Sequence, residues 1–153
     1  MSEGFVETNG IRLHYLDRGA GPAMLLLPGL SANARAFDGL VAAGLTDHFR
    51  VIAPDLRGRG LSDRPASYTL AEHAADVLGL LDALGLERVI LGGHSFGGLM
   101  TLFLAAQAPE RFPRLIVLDA ALRLAGAATR AAIQPSLVRL GQTWPSWADY
   151  RAA

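Results

Sequence analysis

The sequence predicts an α/β fold with a mainly parallel β-sheet and helices on both of its faces. Strand-like apolar runs recur at 24–27, 50–53, 88–92 and 115–118, and most of them end at glycine or proline. Patterns typical of helices lie between these runs. Apolar strands that alternate with helices indicate a sheet covered on both faces, whose ligand binds beyond the carboxyl ends of the strands.

The chain is expected to open with a β-hairpin. Strand-forming residues at 5–8 and 11–15 flank Asn9 and Gly10. An Asn-Gly pair between two such segments is the strongest short hairpin signal. The next run, 24–27, predicts a third strand in the centre of the sheet, because all of its residues are apolar.

Three helices are predicted between the later strands. The first covers 34–45. Thr69 and Glu72 form a capping-box pattern, and apolar residues at helical spacing follow until Gly85. The third helix is predicted over 96–108, where a proline ends it.

A serine stands between a predicted strand and a predicted helix. Gly93, Ser95 and Gly97 fit the pattern G-x-S-x-G, in which small residues permit a sharp turn that exposes the serine oxygen. The dipole of the following helix favours negative charge that develops at this point. We interpret Ser95 as a catalytic nucleophile; the alternative is a glycine-rich turn that happens to contain serine.

Three segments together resemble one family. They are 26–30 (Leu-Leu-Pro-Gly-Leu), 55–63 (Asp-Leu-Arg-Gly-Arg-Gly-Leu-Ser-Asp) and 93–98 (Gly-His-Ser-Phe-Gly-Gly). In this order and spacing, the chain resembles the amino-terminal part of an α/β-hydrolase-fold serine hydrolase of the esterase and lactonase kind. The resemblance implies an incomplete α/β-hydrolase fold, with core strands one to six in residues 1–122 and the start of a cap in 123–153.

The resemblance also implies an oxyanion hole made of main-chain groups. By position, the backbone N–H groups of Phe96 and Leu30 are its donors. Many members of the family have histidine where this chain has Pro28. Because the donors are backbone groups, this departure leaves acyl chemistry possible, although it changes the wall of the pocket.

In this family the triad follows the chain order serine, acid, histidine. All histidines of the chain precede Ser95, so we expect the catalytic histidine to lie outside these 153 residues. Asp119, at the end of the sixth strand, is a back-up candidate for the acid; the alternative is a capping or loop residue. We assign structural or surface roles to the histidines themselves, which are His14, His48, His73 and His94.

The remaining segments give hypotheses about structure more than about catalysis. The charged residues of 55–63 are expected to hold loops together rather than to contact substrate. Leu137, Trp144 and Trp147 are candidates for lining an acyl pocket; the alternatives are core residues of a cap or surface residues exposed by truncation. Ser146 and Asp149 form another capping-box pattern, so a helix is expected near Trp147. Because the chain stops soon afterwards, we expect it to be part of a longer domain.

Composition excludes several classes of function. Acidic and basic residues balance at fourteen each, and the basic residues are all arginine, with no basic stripe for nucleic acid. No cysteine is present, which excludes disulfides and zinc-thiolate sites. The sequence shows neither a signal peptide nor an apolar membrane span. We therefore expect a cytoplasmic protein without a cofactor, metal, nucleic-acid partner or membrane association. The resemblance, rather than the composition, implies a small-molecule acyl substrate.

Substrate identity is not readable from these residues. Serine at the elbow argues against relatives that use aspartate there to open epoxides or displace halide. It does not separate esterases from lactonases, amidases, carbon–carbon hydrolases or perhydrolases, because these share the elbow. The alternative class is an inactive fragment, or half of a split hydrolase that binds the missing carboxy-terminal part as a separate chain.

Overall fold

The computed structural model describes residues 2–120, 131, 134, 145–146 and 148–149. Its strands are β1 (Ser2–Thr8), β2 (Ile11–Arg18), β3 (Ala23–Leu27), β4 (Arg50–Pro54), β5 (Ile90–His94) and β6 (Arg114–Leu118). Its α-helices are α1 (Asp38–Ala42), α2 (Leu70–Ala83) and α3 (Phe96–Gln107). Short 3-10 helices cover Ala34–Phe37, Leu45–Asp47 and Pro109–Arg111.

The strands form one six-stranded sheet in the order β1-β2-β4-β3-β5-β6. β1 and β2 are antiparallel, as are β2 and β4, and the remaining neighbours are parallel. The predicted central position of β3 is confirmed. The hairpin is confirmed as well: Thr8 pairs with Ile11, and the intervening Asn9 and Gly10 have φ angles of 47° and 73°.

Side chains from both faces of the sheet form the core. On one face, Leu25, Leu27 and Leu91 pack with apolar residues of α2 and α3, among them Val77 and Met100. On the other face, Met24, Leu26 and Val51 pack with Ala34 and Phe37. Successive residues of a strand point to opposite faces, so the apolar run of β3 supplies both layers. The predicted two-sided α/β architecture is therefore observed.

The single helix expected over 34–45 is wrong. The chain instead forms a 3-10 turn at Ala34–Phe37, then α1, and then a second 3-10 turn. In a 3-10 helix, residues three apart lie on the same side, which places Ala34 and Phe37 together in the core. Gly44 has a φ of 94°, and this left-handed residue separates α1 from the second 3-10 turn.

The chain divides into two compact units, Met1–Leu122 and Arg123–Ala153. In the second unit, the N–H of Asp149 donates to Oγ of Ser146 at 3.2 Å, and Ala148 and Asp149 are helical. Leu137, Trp144 and Trp147, the candidate pocket or cap residues, lie outside the described residues. Within the described part of the chain, no helix has the length and apolar character needed to cross a membrane.

Candidate active site

The turn between β5 and α3 holds Ser95 in an unusual backbone conformation. Its φ and ψ are 53° and −114°, and a positive φ is uncommon for a residue with a side chain. A Cβ atom added at Gly97 would collide with the main-chain oxygen of Leu27, and one at Gly93 would collide with the oxygen of Gly97. The two glycines are therefore needed for the close approach of strand, turn and helix.

The turn after β3 lies directly beside Ser95. β3 and β5 are parallel neighbours, with Leu27 opposite Gly93, so their carboxyl ends lie side by side at the same end of the sheet. A Cβ atom added at Gly29 would lie 3.7 Å from Cβ of Ser95. Two segments singled out in the sequence, 26–30 and 93–98, thus meet at one place.

Two main-chain N–H groups at this junction have no acceptor among the described residues. One belongs to Leu30 and the other to Phe96, the first residue of α3, where the helix itself provides no acceptor. The carbonyl of Gly29 accepts a hydrogen bond from Ala32 at 3.1 Å. A trans peptide directs its N–H away from its own carbonyl, so this bond sets the direction of the Leu30 N–H.

Asp119 follows β6 at the same end of the sheet, where the carboxyl ends of the parallel strands lie. The N–H of Ser95 donates to the carbonyl of Leu118 at 2.9 Å and thereby connects the ends of β5 and β6. Asp119 has a φ of 48° and an exposed side chain, and its Oδ2 lies 3.8 Å from Nε2 of His94. Asp119 is therefore close to the elbow, but the described residues show no hydrogen bond between its carboxylate and Ser95.

Two of the remaining histidines are held by partners other than Ser95. His14 is buried, and its Nδ1 lies 2.9 Å from Oδ2 of Asp55. His73 is buried in α2 and bonds to the carbonyl of Thr69, while His48 is exposed. In the described part of the chain, none of these rings hydrogen-bonds to the Ser95 hydroxyl.

The loop 55–63 is held by buried polar contacts. Asp55 accepts hydrogen bonds from the N–H groups of Ala34 and Leu61 at 2.7 and 2.8 Å. Arg57 donates to both carboxylate oxygens of Asp76 in α2, at 2.6 and 2.7 Å, and this hydrogen bonding raises the pKa of Arg57. These contacts connect the loop to α2 and to the segment after β3.

Arg59 was not singled out by sequence reasoning, yet it contacts the candidate site. Its Nε donates to the carbonyl of Leu30 at 2.9 Å, and its guanidinium lies 5.5 Å from the centre of the Phe96 ring. The sequence predicts only that the charged residues of this loop hold loops together, and the glycines on either side of Arg59 mark a tight turn. Its contacts with Leu30 and Phe96 join segments far apart in the sequence, so no local pattern specifies them. No cluster of three metal-ligating side chains occurs in the portion that the structure describes.

Comparison with known proteins places this chain in a family. A family model described as the alpha/beta hydrolase fold matches residues 22–152. An uncharacterised protein of Mycobacterium tuberculosis is 42% identical over 117 residues, which cover 76% of this chain and 34% of that protein. Epoxide hydrolase 3 of Siraitia grosvenorii is 37% identical and is covered to 37%, against 74% of this chain.

A solved structure supports the same relationship. The enol-lactonase from Burkholderia xenovorans LB400 superposes with a TM-score of 0.77 at 30% identity, over 89% of this chain and 58% of that one. The chain thus spans between about a third and about two fifths of the length of the curated relatives that it matches. With its elbow, its sheet order and the family match, the chain belongs to the α/β-hydrolase fold family.

Proposed function

We propose that the protein is a serine hydrolase that cleaves an ester, lactone or related acyl bond. The observation that carries this proposal is the conformation of Ser95, whose turn is permitted by Gly93 and Gly97 and projects the residue at the carboxyl edge of the sheet. A strained backbone at such a position supports a functional role for the side chain.

In the proposed reaction, Oγ of Ser95 attacks the carbonyl carbon of the substrate. The N–H groups of Leu30 and Phe96 donate to the oxyanion that forms, and the leaving group departs as the acyl-enzyme is made. Water then releases the acid and restores the serine. We propose that the general base is a histidine outside these 153 residues. Among the described residues, no histidine hydrogen-bonds to the Ser95 hydroxyl, and His14 and His73 are bonded to Asp55 and Thr69 instead.

Asp119 remains a candidate for the acid of the triad. Its position at the end of β6, one residue after the carbonyl that binds the Ser95 N–H, supports this role. The observed proximity of its carboxylate to His94 supports the alternative, a local contact at the elbow. Asp119→Asn would distinguish the triad acid from a local contact at the elbow. Only loss of the triad acid should lower the reactivity of Ser95 by orders of magnitude.

Epoxide hydrolysis is the competing reaction, because several of the relatives and solved structures bear that name. Serine is poorly suited to it. Attack of a hydroxyl on an epoxide carbon leaves an ether on the enzyme, which has no carbonyl for water to attack, whereas attack on an ester leaves a second ester that water cleaves. The identity of residue 95 therefore favours acyl chemistry.

The test is labelling of Ser95 with a fluorophosphonate probe, followed by mass spectrometry of the modified peptide. The full-length gene product, the 153-residue chain and their Ser95→Ala variants would be compared, and hydrolysis of an aryl ester and of an epoxide measured alongside. We expect labelling of the full-length product at Ser95, with loss of both labelling and esterase activity in Ser95→Ala.

The other outcomes are equally informative. If the 153-residue chain is labelled without any added partner, the base is supplied within this chain or by a second copy of it. Labelling only after a complementary chain is added would support a split hydrolase. No labelling of any form, or epoxide turnover that survives Ser95→Ala, would overturn the proposal and leave a non-catalytic module or another chemistry.

A further inference from the structure

We propose that Arg59 is a positioning residue for the oxyanion hole: it links the two residues that provide the hole's main-chain donors. This inference rests on the function proposed above. Arg59 bonds to the carbonyl of Leu30 and faces the ring of Phe96, and these residues lie on different elements. A single side chain therefore connects the turn after β3 with the first residue of α3.

The bond to Leu30 restrains the turn on one side of the hole. Nε of Arg59 donates to the Leu30 carbonyl at 2.9 Å, while the preceding carbonyl, of Gly29, is held by Ala32. Each peptide unit is planar, so fixing both carbonyls fixes the peptide planes on either side of the Leu30 Cα atom. Without Arg59, only one of these planes keeps its hydrogen bond.

The guanidinium is itself held in place by two acceptors. Nη1 of Arg59 donates to the carbonyl of Arg57 at 2.7 Å and lies 2.9 Å from Nε2 of His73. Nδ1 of His73 lies 2.8 Å from the carbonyl of Thr69, which can only accept, so Nδ1 carries the proton and Nε2 accepts from Arg59. Burial lowers the pKa of His73, which favours the neutral ring as the acceptor.

Phe96 packs into the same cluster. Its ring lies edge-on to the ring of His73, with centroids 5.2 Å apart and planes at 73°, and it lies 5.5 Å from the Arg59 guanidinium. Both contacts are geometries in which an aromatic ring is attracted to its neighbour. The ring restrains the residue whose N–H is the second proposed donor.

The charge of Arg59 has no carboxylate partner among the described residues, unlike that of Arg57, which pairs with Asp76. Its hydrogen-bond acceptors are two carbonyls and one imidazole. A partly buried cation with neutral acceptors is costly for stability alone. This arrangement is consistent with a role in orienting those acceptors and in providing a positive field close to a developing oxyanion.

The test compares Arg59→Ala and Arg59→Lys with Arg111→Ala in the full-length gene product. Arg111 is the matched control, because it also donates to two backbone carbonyls, those of Glu87 and Leu86, in the segment before β5. Fluorophosphonate labelling of Ser95 would be followed over a range of probe concentrations, which separates the maximal labelling rate from probe affinity. Thermal unfolding would be measured for every variant.

We expect Arg59→Ala to lower the maximal rate by about 10- to 100-fold with probe affinity within about threefold, because misplaced donors act on the transition state. Added guanidinium ion should restore part of the rate. Arg59→Lys keeps the charge but not the planar fork, so it should remain slower than wild type even where it folds normally. Arg111→Ala should unfold at lower temperature and label at the wild-type rate.

Three results would overturn the inference, and they are distinguishable. If the wild-type protein labels at Ser95 and the folded Arg59 variants label equally fast, the positioning role is wrong while the proposed function stands. If the wild-type protein does not label at all, the proposed function fails and the inference fails with it. Equal loss of rate in Arg59→Ala and Arg111→Ala, in proportion to lost stability, would reduce Arg59 to a structural residue.

Discussion

Ser95 has a side chain in a backbone region that mostly suits glycine, and its neighbours explain how this is sustained. A φ of 53° with a ψ of −114° lies outside the broad allowed regions for such a residue. Conformations of this kind cost about 1–3 kcal/mol and persist only where the surroundings determine them. Here the surroundings are the hydrogen bond from Ser95 N–H to Leu118 and the contacts of Gly93 and Gly97.

The glycine requirement gives a prediction for Gly97. A methyl group there would overlap the carbonyl oxygens of Leu27 and Pro28, which belong to the backbone and cannot swing away. Gly97→Ala should therefore destabilise the fold by about 1–3 kcal/mol and slow fluorophosphonate labelling of Ser95 by at least about tenfold, since the elbow must shift. Urea unfolding and labelling kinetics measure the two effects.

Gly39→Ala is the control for this substitution. Gly39 lies in α1, and a Cβ atom there meets nothing within 4 Å. It should be neutral or stabilising by up to about 1 kcal/mol, because alanine is the better helix former. Equal effects of Gly39→Ala and Gly97→Ala would contradict the steric explanation.

Sequence reasoning at the scale of single residues succeeded where the determinant is local. The turn at Ser95 follows from a five-residue pattern, and the hairpin from Asn9 and Gly10. It could not identify the contact between Arg59 and Leu30, which are 29 positions apart. Such partners are chosen by the way strands and loops pack, and no local pattern specifies them.

At the scale of elements, α2 shows how far a capping pattern determines structure. The Thr69 hydroxyl accepts from the N–H of Glu72 at 3.2 Å, and the Glu72 carboxylate accepts from the N–H of Thr69 at 2.9 Å. Both ends of the box were predicted and both are observed. In the segment 34–45 no such box is present, and the chain forms a 3-10 turn that buries Ala34 and Phe37 in place of one continuous helix.

The capping box predicts a dependence of stability on pH. Hydrogen bonds from Ser67 and Thr69 lower the pKa of Glu72 from 4.5 to about 2. Because the folded pKa is below the unfolded one, the unfolded chain binds more protons in between, and the stabilisation present above pH 4.5 is lost as the pH falls towards 2. Glu72→Gln should therefore weaken the dependence of unfolding free energy on pH in this window, as measured by urea unfolding.

Thr69→Ala and Glu110→Gln complete this experiment. Loss of the Thr69 hydroxyl should cost about 1 kcal/mol at neutral pH. It should also weaken the pH dependence, since this hydroxyl donates one of the hydrogen bonds that lower the pKa of the Glu72 carboxyl. Glu110 is exposed and lies outside α2, so Glu110→Gln should leave the slope at the wild-type value. A slope that persists in Glu72→Gln would assign the effect to another carboxylate.

At the scale of the whole molecule, the two edge strands of the sheet differ. β1 at one edge is short of apolar surface, with alternating exposed and half-buried residues. β6, the opposite edge among the described strands, reads Arg-Leu-Ile-Val-Leu, and all of its residues are exposed. An exposed apolar edge strand offers unpaired backbone groups and apolar side chains to another chain.

This asymmetry predicts self-association of the 153-residue chain through β6. We expect sedimentation velocity to show an average mass that rises with protein concentration.

Lysine at an edge strand opposes such pairing because burying its charge is costly. Leu115→Lys, at a residue 42% exposed, should therefore shift the chain towards monomer. Leu40→Lys, at a residue 46% exposed in α1, introduces the same charge away from the edge and should leave association unchanged. A wild-type chain that stays monomeric at all concentrations, or equal effects of the two lysines, would show that β6 is not the associating surface.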